Sequence, residues 1–376
     1  MQTSTKSKPS VTLVVVPRER FSYSRQSLES IYQNTDYPFD LVYVDVCTPL
    51  HLQRYLEEQA QQKQFKLIRT PYYISPNQAR NVGLRQVLNR KSKYVVFVDN
   101  DVVVAPGWLK KLVDCAEETK ATVVGPLTCI GKPEHEVIHN AGGENHIVVK
   151  EKDGKIQRCL YQKAYLTGKR VADVPEQIRR IQCEYVEFHC MLVQTAIFER
   201  IGLLDEGMLA TREHIDLCMM VAEAGGTIYC ERESSITTDT LGIGKNKAGL
   251  AAVAGSVQIP DFKPSDFPDF MLRWNDAWDF ASLDHLRKKW NLSEEKYFTK
   301  RYKDLGSRRR EILIEPLVYR LTFIQDSLWL KNILISLERQ INRYFYNLYL
   351  QKLPQTQKAQ GLQLLKSVIK LQSATN

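Results

Sequence analysis

Tyr94-Val95-Val96-Phe97-Val98-Asp99-Asn100-Asp101 decides how this chain is read. A run of Val and aromatic residues of that length has the character of a strand buried on both faces. It drives straight into two aspartates at spacing i, i+2. In extended backbone those two side chains share a face. At the carboxyl end of a strand they emerge into the crevice where open α/β sheets bind ligands. Two carboxylates so close repel each other unless a cation lies between them. Mg²⁺ or Mn²⁺ suits such oxygen ligands, with substrate phosphates completing the shell. Taken alone, Asp-Asn-Asp is equally good turn chemistry, so the flanking sequence has to decide.

The flanks alternate. Val11 to Val16 reads as a strand stopped by Pro17, and 24–33 has helical spacing through Leu28 and Ile31. Asp40 to Val46 is a second strand, 50–62 a helix, Phe65 to Arg69 a third strand and 77–90 a helix. Pro106 opens a further helix at its first turn, where proline is tolerated. Ala121 to Val124 is the next strand, with Pro126 as its stop. This alternation, from 11 to about 126, is the signature of a parallel sheet with crossover helices. Between about 130 and 185 regularity is lost; Gly142-Gly143 and the charged run 150–155 suggest loops and an antiparallel excursion. Cys190 to Val193 is a new apolar segment, followed by a short helix at 195–201, a helix over 213–224 and a strand at 227–230. An extended linker is expected near 255–265, around Pro260 and Pro264, with aromatic, basic helices beyond it.

Composition narrows the class. The 376 residues carry a formal charge of +9 and 43% hydrophobic content, as in an ordinary globular protein with a leaning toward anionic partners. No run of apolar residues is long enough to span a bilayer, and the first ten residues lack the apolar core of a secretory signal and read as a disordered tail. The eight cysteines are scattered without CxxC pairs, which fits reduced core thiols in a cytoplasmic protein.

Four segments together resemble the family 2 glycosyltransferases, which have a GT-A fold. They are Val14-Val15-Val16-Pro17; Asn77-Gln78-Ala79-Arg80-Asn81-Val82-Gly83, like the family's ARNxG helix; Asp99-Asn100-Asp101 at the DxD position; and the apolar strand at Cys190 followed by Ile201 to Glu206 and Glu213-His214-Ile215-Asp216-Leu217-Cys218. The resemblance implies a Rossmann-like, mainly parallel mixed sheet with a helical C-terminal extension. It divides the chain into a tail (1–10), a catalytic domain (11–258, its nucleotide-binding half ending at 126) and a helical region (259–376). It implies metal-dependent, inverting transfer of a sugar from a nucleotide diphosphate donor, UDP-linked by preference, to a hydroxyl acceptor in glycan or glycolipid synthesis. Asp101 would ligate Mn²⁺ or Mg²⁺ directly, and Asp99 would contact ribose or a metal-bound water. Pro17, Asp45, Asn77, Arg80 and Asn100 would line the donor site. The sequence departs from the family after Asp45, in the first loop (Arg18-Glu19-Arg20), and at His214, where the family commonly has the aspartate that serves as base. Glu213, His214 and Asp216 therefore stay as rival bases, histidine being competent near neutrality. The family's late metal-binding histidine is missing, and by the resemblance Asp239 would be an oxygen substitute for it.

Residues 287–310 hold ten Lys or Arg and three acids, and 312–348 mix apolar and basic residues at helical spacing. Such helices pack on the catalytic domain, on a second copy, or on an anionic membrane surface, the last placing the protein peripherally on the inner face of a membrane. No nucleic-acid signature accompanies the charge. Two other readings compete: a nucleotidyltransferase, against which the glycine-free loop after Val16 counts, and a non-catalytic nucleotide-sugar or carbohydrate-binding protein with a decayed site.

Overall fold

The computed structural model describes residues 8–238, 263–315 and 327–375. Its frame is a mixed sheet of ten strands in the order β10-β12-β6-β11-β4-β1-β2-β3, with β5 and β7 attached to β12 and β6. The strands β1 (Val11–Val16), β2 (Asp40–Val46), β3 (Lys66–Thr70) and β4 (Tyr94–Asp99) form a wholly parallel half. The helices α1 (Ser24–Asn34), α2 (Leu50–Lys63) and α3 (Pro76–Arg90) connect them. Every residue of β1 and β4 is buried, which explains why both read as unbroken apolar runs rather than alternating ones. The order 3-2-1-4 reverses direction between β1 and β4, so their carboxyl ends flank a topological switch point.

α3 begins with a capping box. Ser75 accepts from the Gln78 amide, Gln78 returns the bond, and Pro76 fills the first turn. Its Gly83 packs directly on β1. After β4 come β5 (Val102–Val104), α4 (Trp108–Thr119) and β6 (Val123–Ile130). The expected start of α4 at Pro106 moves, because Gly107 takes positive φ as the cap and the helix opens at Trp108. Trp108 is fully buried and donates its indole N–H to Thr35.

Pro126 does not stop β6. It lies beyond the β6–β11 pairing at residues 123 and 124, and against the register shift between Glu231 and Ser235 of β12 (Ile228–Thr238). A strand accepts proline where no ladder donor is needed. β12 accordingly runs well past the short strand expected at 227–230. The charged run at 150–155 is the tip of a long hairpin, β8 (Gly143–Lys152) with β9 (Lys155–Ala164), following β7 (Val137–Asn140). Asp153 and Gly154 both have positive φ, as a two-residue hairpin turn requires. β10 (Ile181–Cys183) closes one sheet edge, and β11 (Cys190–Gln194) inserts antiparallel between β4 and β6. The short α5 (Phe198–Ile201) and then α6 (Glu213–Glu223) follow.

The C-terminal helices are α7 (Phe267–Arg273), α8 (Asp276–Lys289), α9 (Lys296–Lys303), α10 (Ser307–Leu313), α11 (Leu328–Gln351) and α12 (Gln355–Thr375). Buried Arg309 of α10 binds the Trp274 carbonyl, Asp276 of α8 and Glu338 of α11, and so ties three of these helices together. Most of the linker expected at 255–265 lies outside the described residues, as does Asp239. Among the described residues no helix is long and apolar enough to cross a membrane, and all eight cysteines are free thiols.

The close approach of α3 to β1 gives a first test. A Cβ at Gly83 would stand 2.2 Å from Val14 Cγ1. Gly83→Ala should therefore lower stability by about 1–3 kcal/mol, the usual cost of overpacking, as read from the urea midpoint.

Candidate active site

The carboxyl ends of β1 and β4 build the floor. Asp99 closes β4 in register with Val16, and its amide donates to the His189 carbonyl just before β11. Its side chain is fully claimed. Arg80 Nη2 donates to Oδ1 at 3.1 Å, while Arg18 Nη1 and His189 Nδ1 approach Oδ2 at 3.4 and 3.2 Å. Burial disfavours the charged form, but His189, Arg80 and Arg18 outweigh it and hold this carboxyl well below the usual carboxylate range.

Asp101, two residues on, is the opposite case. It is buried, and neither carboxylate oxygen has a hydrogen-bond partner among the described residues. Burial, Glu19 and Asp99 together push its pKa above the ordinary range. Tyr23, Gln26, Glu134 and Thr237 wall the cleft it faces. Lys132 also lines this cleft. An unsatisfied carboxylate in such a place costs several kcal/mol unless a cation completes it. Hard oxygen donors fit Mn²⁺ or Mg²⁺.

Asn100 points the other way. It accepts from the Arg18 amide and donates to Ser24, so its side chain shapes the loop after β1. Pro17 starts that loop, which carries Arg18 back over the site. Asp45 sits at the end of β2, but its carboxylate is taken by the Thr48 turn and by Arg69 Nε at 2.7 Å. Asn77 bridges α3 to the Asp205 carbonyl and accepts from Arg80 at 3.3 Å.

α6 supplies the facing wall. Glu213 lies between Arg273 at 3.2 Å and Arg80 at 3.7 Å. Burial opposes its ionisation, and the two arginines more than reverse that. His214 has neither ring nitrogen hydrogen-bonded among the described residues, and its ring lies 6.0 Å from that of Tyr185. Burial drops its pKa to about 4, so it is neutral at pH 7. Asp216 is turned away from both: its oxygens accept from Trp290 Nε1 and Lys289 Nζ, each at 2.8 Å. Three residues of helix leave Glu213 and Asp216 roughly 60° apart around the axis, enough to send one to the cavity and one to α8. Of the three rival bases, Asp216 is thus engaged in holding α8.

Two functional-site residues, His139 and Glu187, are not singled out by the sequence. His139 Nε2 lies 3.2 Å and His189 Nε2 3.3 Å from Glu187 Oε2, and the ligand atoms of the three lie within 4.8 Å of one another. Two imidazoles and a carboxylate can hold a metal ion, although the Arg18 guanidinium, 2.8 Å from His189 Nδ1, already supplies positive charge there. The available signal was Glu187-Phe188-His189, two chemically active residues at i, i+2 running into an apolar strand. A cavity of about 210 Å³ brings these groups together, with Asp99, Arg18, Arg80, Glu187, His189, Glu213 and His214 on its walls and Trp274 and Arg308 at its C-terminal side.

The Asp101 environment predicts a pH signature. A carboxyl whose pKa rises on folding makes the folded state bind more protons, so stability falls as pH climbs from the ordinary carboxylate range toward neutrality. Thermal unfolding of the metal-free protein should show this loss. Mn²⁺ should offset it, and Asp101→Asn should remove both the loss and the Mn²⁺ response.

Residues 12–164 match the family model described as Glycosyl transferase family 2. The comparison with curated proteins finds no match. Solved structures similar to this chain include GalNAc-T7 with UDP, GalNAc and Mn²⁺ (16% identity, TM-score 0.47, 80% of this chain and 58% of that one). TarS 1–349 of S. aureus with UDP-GlcNAc is also similar (15%, 0.42, 81% of each chain). A third is the mannosyltransferase PcManGT from Pyrobaculum calidifontis with GDP-Man and Mn²⁺ (13%, 0.47, 99% and 89%). The chain spans 58% of the GalNAc-T7 chain and 50% of the longer TarS chain.

Proposed function

We propose that this chain, whose residues 12–164 match the glycosyl transferase family 2 model, moves a sugar from a nucleotide diphosphate donor to a hydroxyl acceptor. One observation carries the reading: a buried carboxylate with two unpartnered oxygens, Asp101, beside a neutralised one, Asp99, at the β1/β4 switch point. A divalent cation held by Asp101 would supply charge neutralisation to the departing diphosphate. Mn²⁺ is the first ion to test, and UDP-sugars are the first donors.

The residues divide the remaining work. Arg80 and Arg273 fix Glu213 at the cavity wall, and Arg80 also fixes Asp99. This leaves His214 as the neutral group with a free ring nitrogen. In our reading it accepts the acceptor hydroxyl proton as that oxygen bonds to the anomeric carbon and the carbon–phosphate oxygen bond breaks. Attack from the face opposite the diphosphate inverts the anomeric centre. Closing the crevice against water keeps the donor from hydrolysis.

The test is release of nucleoside diphosphate from UDP- and GDP-sugars with Mn²⁺ across an acceptor panel. Asp101→Asn should abolish it, and full activity in that variant would overturn the proposal. His214→Gln should lower kcat by about 10²–10⁴-fold with donor KM little changed, the span expected for losing a general base. The acid limb of the kcat profile should fall near pH 4, following the His214 value of about 4, rather than at an ordinary histidine's 6.5.

A further inference from the structure

A second cavity, about 600 Å³, opens beside the first and shares Thr211, Arg212, Trp274 and Arg308 with it. Asp99 and Asp101 do not line it. It therefore continues the first cavity away from the strand ends and toward the C-terminal helices.

Its chemistry is uneven. Arg212, Lys300, Arg301 and Arg308 stand on its walls. None of the four makes an ion pair among the described residues, although Asp279, Asp304 and Glu311 share the lining. Asp279 is half-buried and accepts from the Thr211 hydroxyl at 3.4 Å, and desolvation with nearby Asp276 raises its pKa, which weakens it as a counter-ion. The cations lean on aromatic faces instead. The Arg301 guanidinium is 4.4 Å from the Tyr297 ring and Arg212 is 6.0 Å from it, while Arg308 is 5.4 Å from the Trp274 ring. Arg212 and Arg308 each bury an Nε without a hydrogen-bond partner. Burial pulls Arg301 and Arg308 down to about 10, with the neighbouring cations Arg212 and Arg18 acting in the same direction. Four cations against three carboxylates leave a positive excess, and guanidinium groups in such excess can receive an oxyanion, since the planar fork meets phosphate or carboxylate with two parallel bonds.

We propose that this cavity is the acceptor subsite and that the acceptor carries an oxyanion, a phosphoryl or carboxylate group, seated among Arg212, Lys300, Arg301 and Arg308. The inference deepens the glycosyltransferase reading and rests on it for the word acceptor; the oxyanion site itself does not. Lys300 and Arg301 line only this second cavity, so they separate it from the chemistry.

The experiment is calorimetric titration of the full chain, saturated with UDP and Mn²⁺, with three probes at low salt: neutral maltotriose, trigalacturonate and maltotriose 6-phosphate. At least one charged probe should bind about tenfold tighter than the neutral one, the worth of a charge-assisted hydrogen bond. Which one does so separates a carboxylate acceptor from a phosphate one. Lys300→Gln/Arg301→Gln should erase that preference while leaving the thermal shift given by UDP and Mn²⁺ unchanged, which also shows that the variant is folded. Equal binding of all three probes, or a preference that survives the double substitution, overturns the proposal. A preference lost as expected, in a protein that shows no shift with UDP and Mn²⁺, keeps the oxyanion site and sinks the glycosyltransferase reading instead.

Discussion

The structure turns on two buried carboxylates at one strand end. Placing Asp99 and Asp101 two residues apart in a water-poor crevice is unfavourable for both. The fold relieves one of them fully, since Arg80, Arg18 and His189 surround Asp99. It relieves the other only in part: Arg18 and Arg20 act on Asp101 from a distance, but neither of its oxygens has a hydrogen-bond partner among the described residues. That asymmetry is the main functional statement the chain makes. A purely structural aspartate in this position would have acquired a partner, because the burial penalty on an unpaired carboxylate is as large as a good part of a domain's stability.

The same arginines link the floor to the wall. Arg80 touches Asp99 and approaches Glu213, and Arg273, at the end of α7, touches Glu213 from the other side. Asp216 extends the connection by holding Lys289 and Trp290 of α8. Asp205 adds His285 and Lys289. The C-terminal helices are thereby fixed to the elements that carry the site, and Trp274 and Arg308 reach its rim as a result. Charged groups that resemble catalytic acids in sequence therefore divide into those that face the cavity and those that pin this arrangement.

Much of this was legible in the sequence. β1, β4, β11, α3 and α6 each announce themselves through local pattern, and the Asp99-Asn100-Asp101 stretch names its own place at a strand end. The helix bearing Asn77 and Arg80 was readable as a helix from its spacing, and the family resemblance is what pointed to its two polar residues. What local pattern could not encode were partners far along the chain. The acid at position 216 looked like a rival base until Lys289 and Trp290 supplied its partners, more than seventy residues away. Asn100 looked like a donor contact until Ser24 and the Arg18 amide claimed it. His139 meets Glu187 only because β7 and the approach to β11 converge on the same cavity. Pro126 passes through a strand because its neighbour carries an irregularity that no residue near Pro126 foretells. The hairpin turn at Asp153-Gly154 was the one missed feature with a strong local signal.

The most direct measurement is anomalous diffraction from crystals soaked in Mn²⁺ with a nucleoside diphosphate. A manganese peak is expected about 2.1 Å from a carboxylate oxygen of Asp101, the spacing of a hard divalent ion to oxygen, with the diphosphate beside it at the carboxyl ends of β1 and β4. A peak held only by His139, Glu187 and His189, with Asp101 still bare, would contradict that expectation.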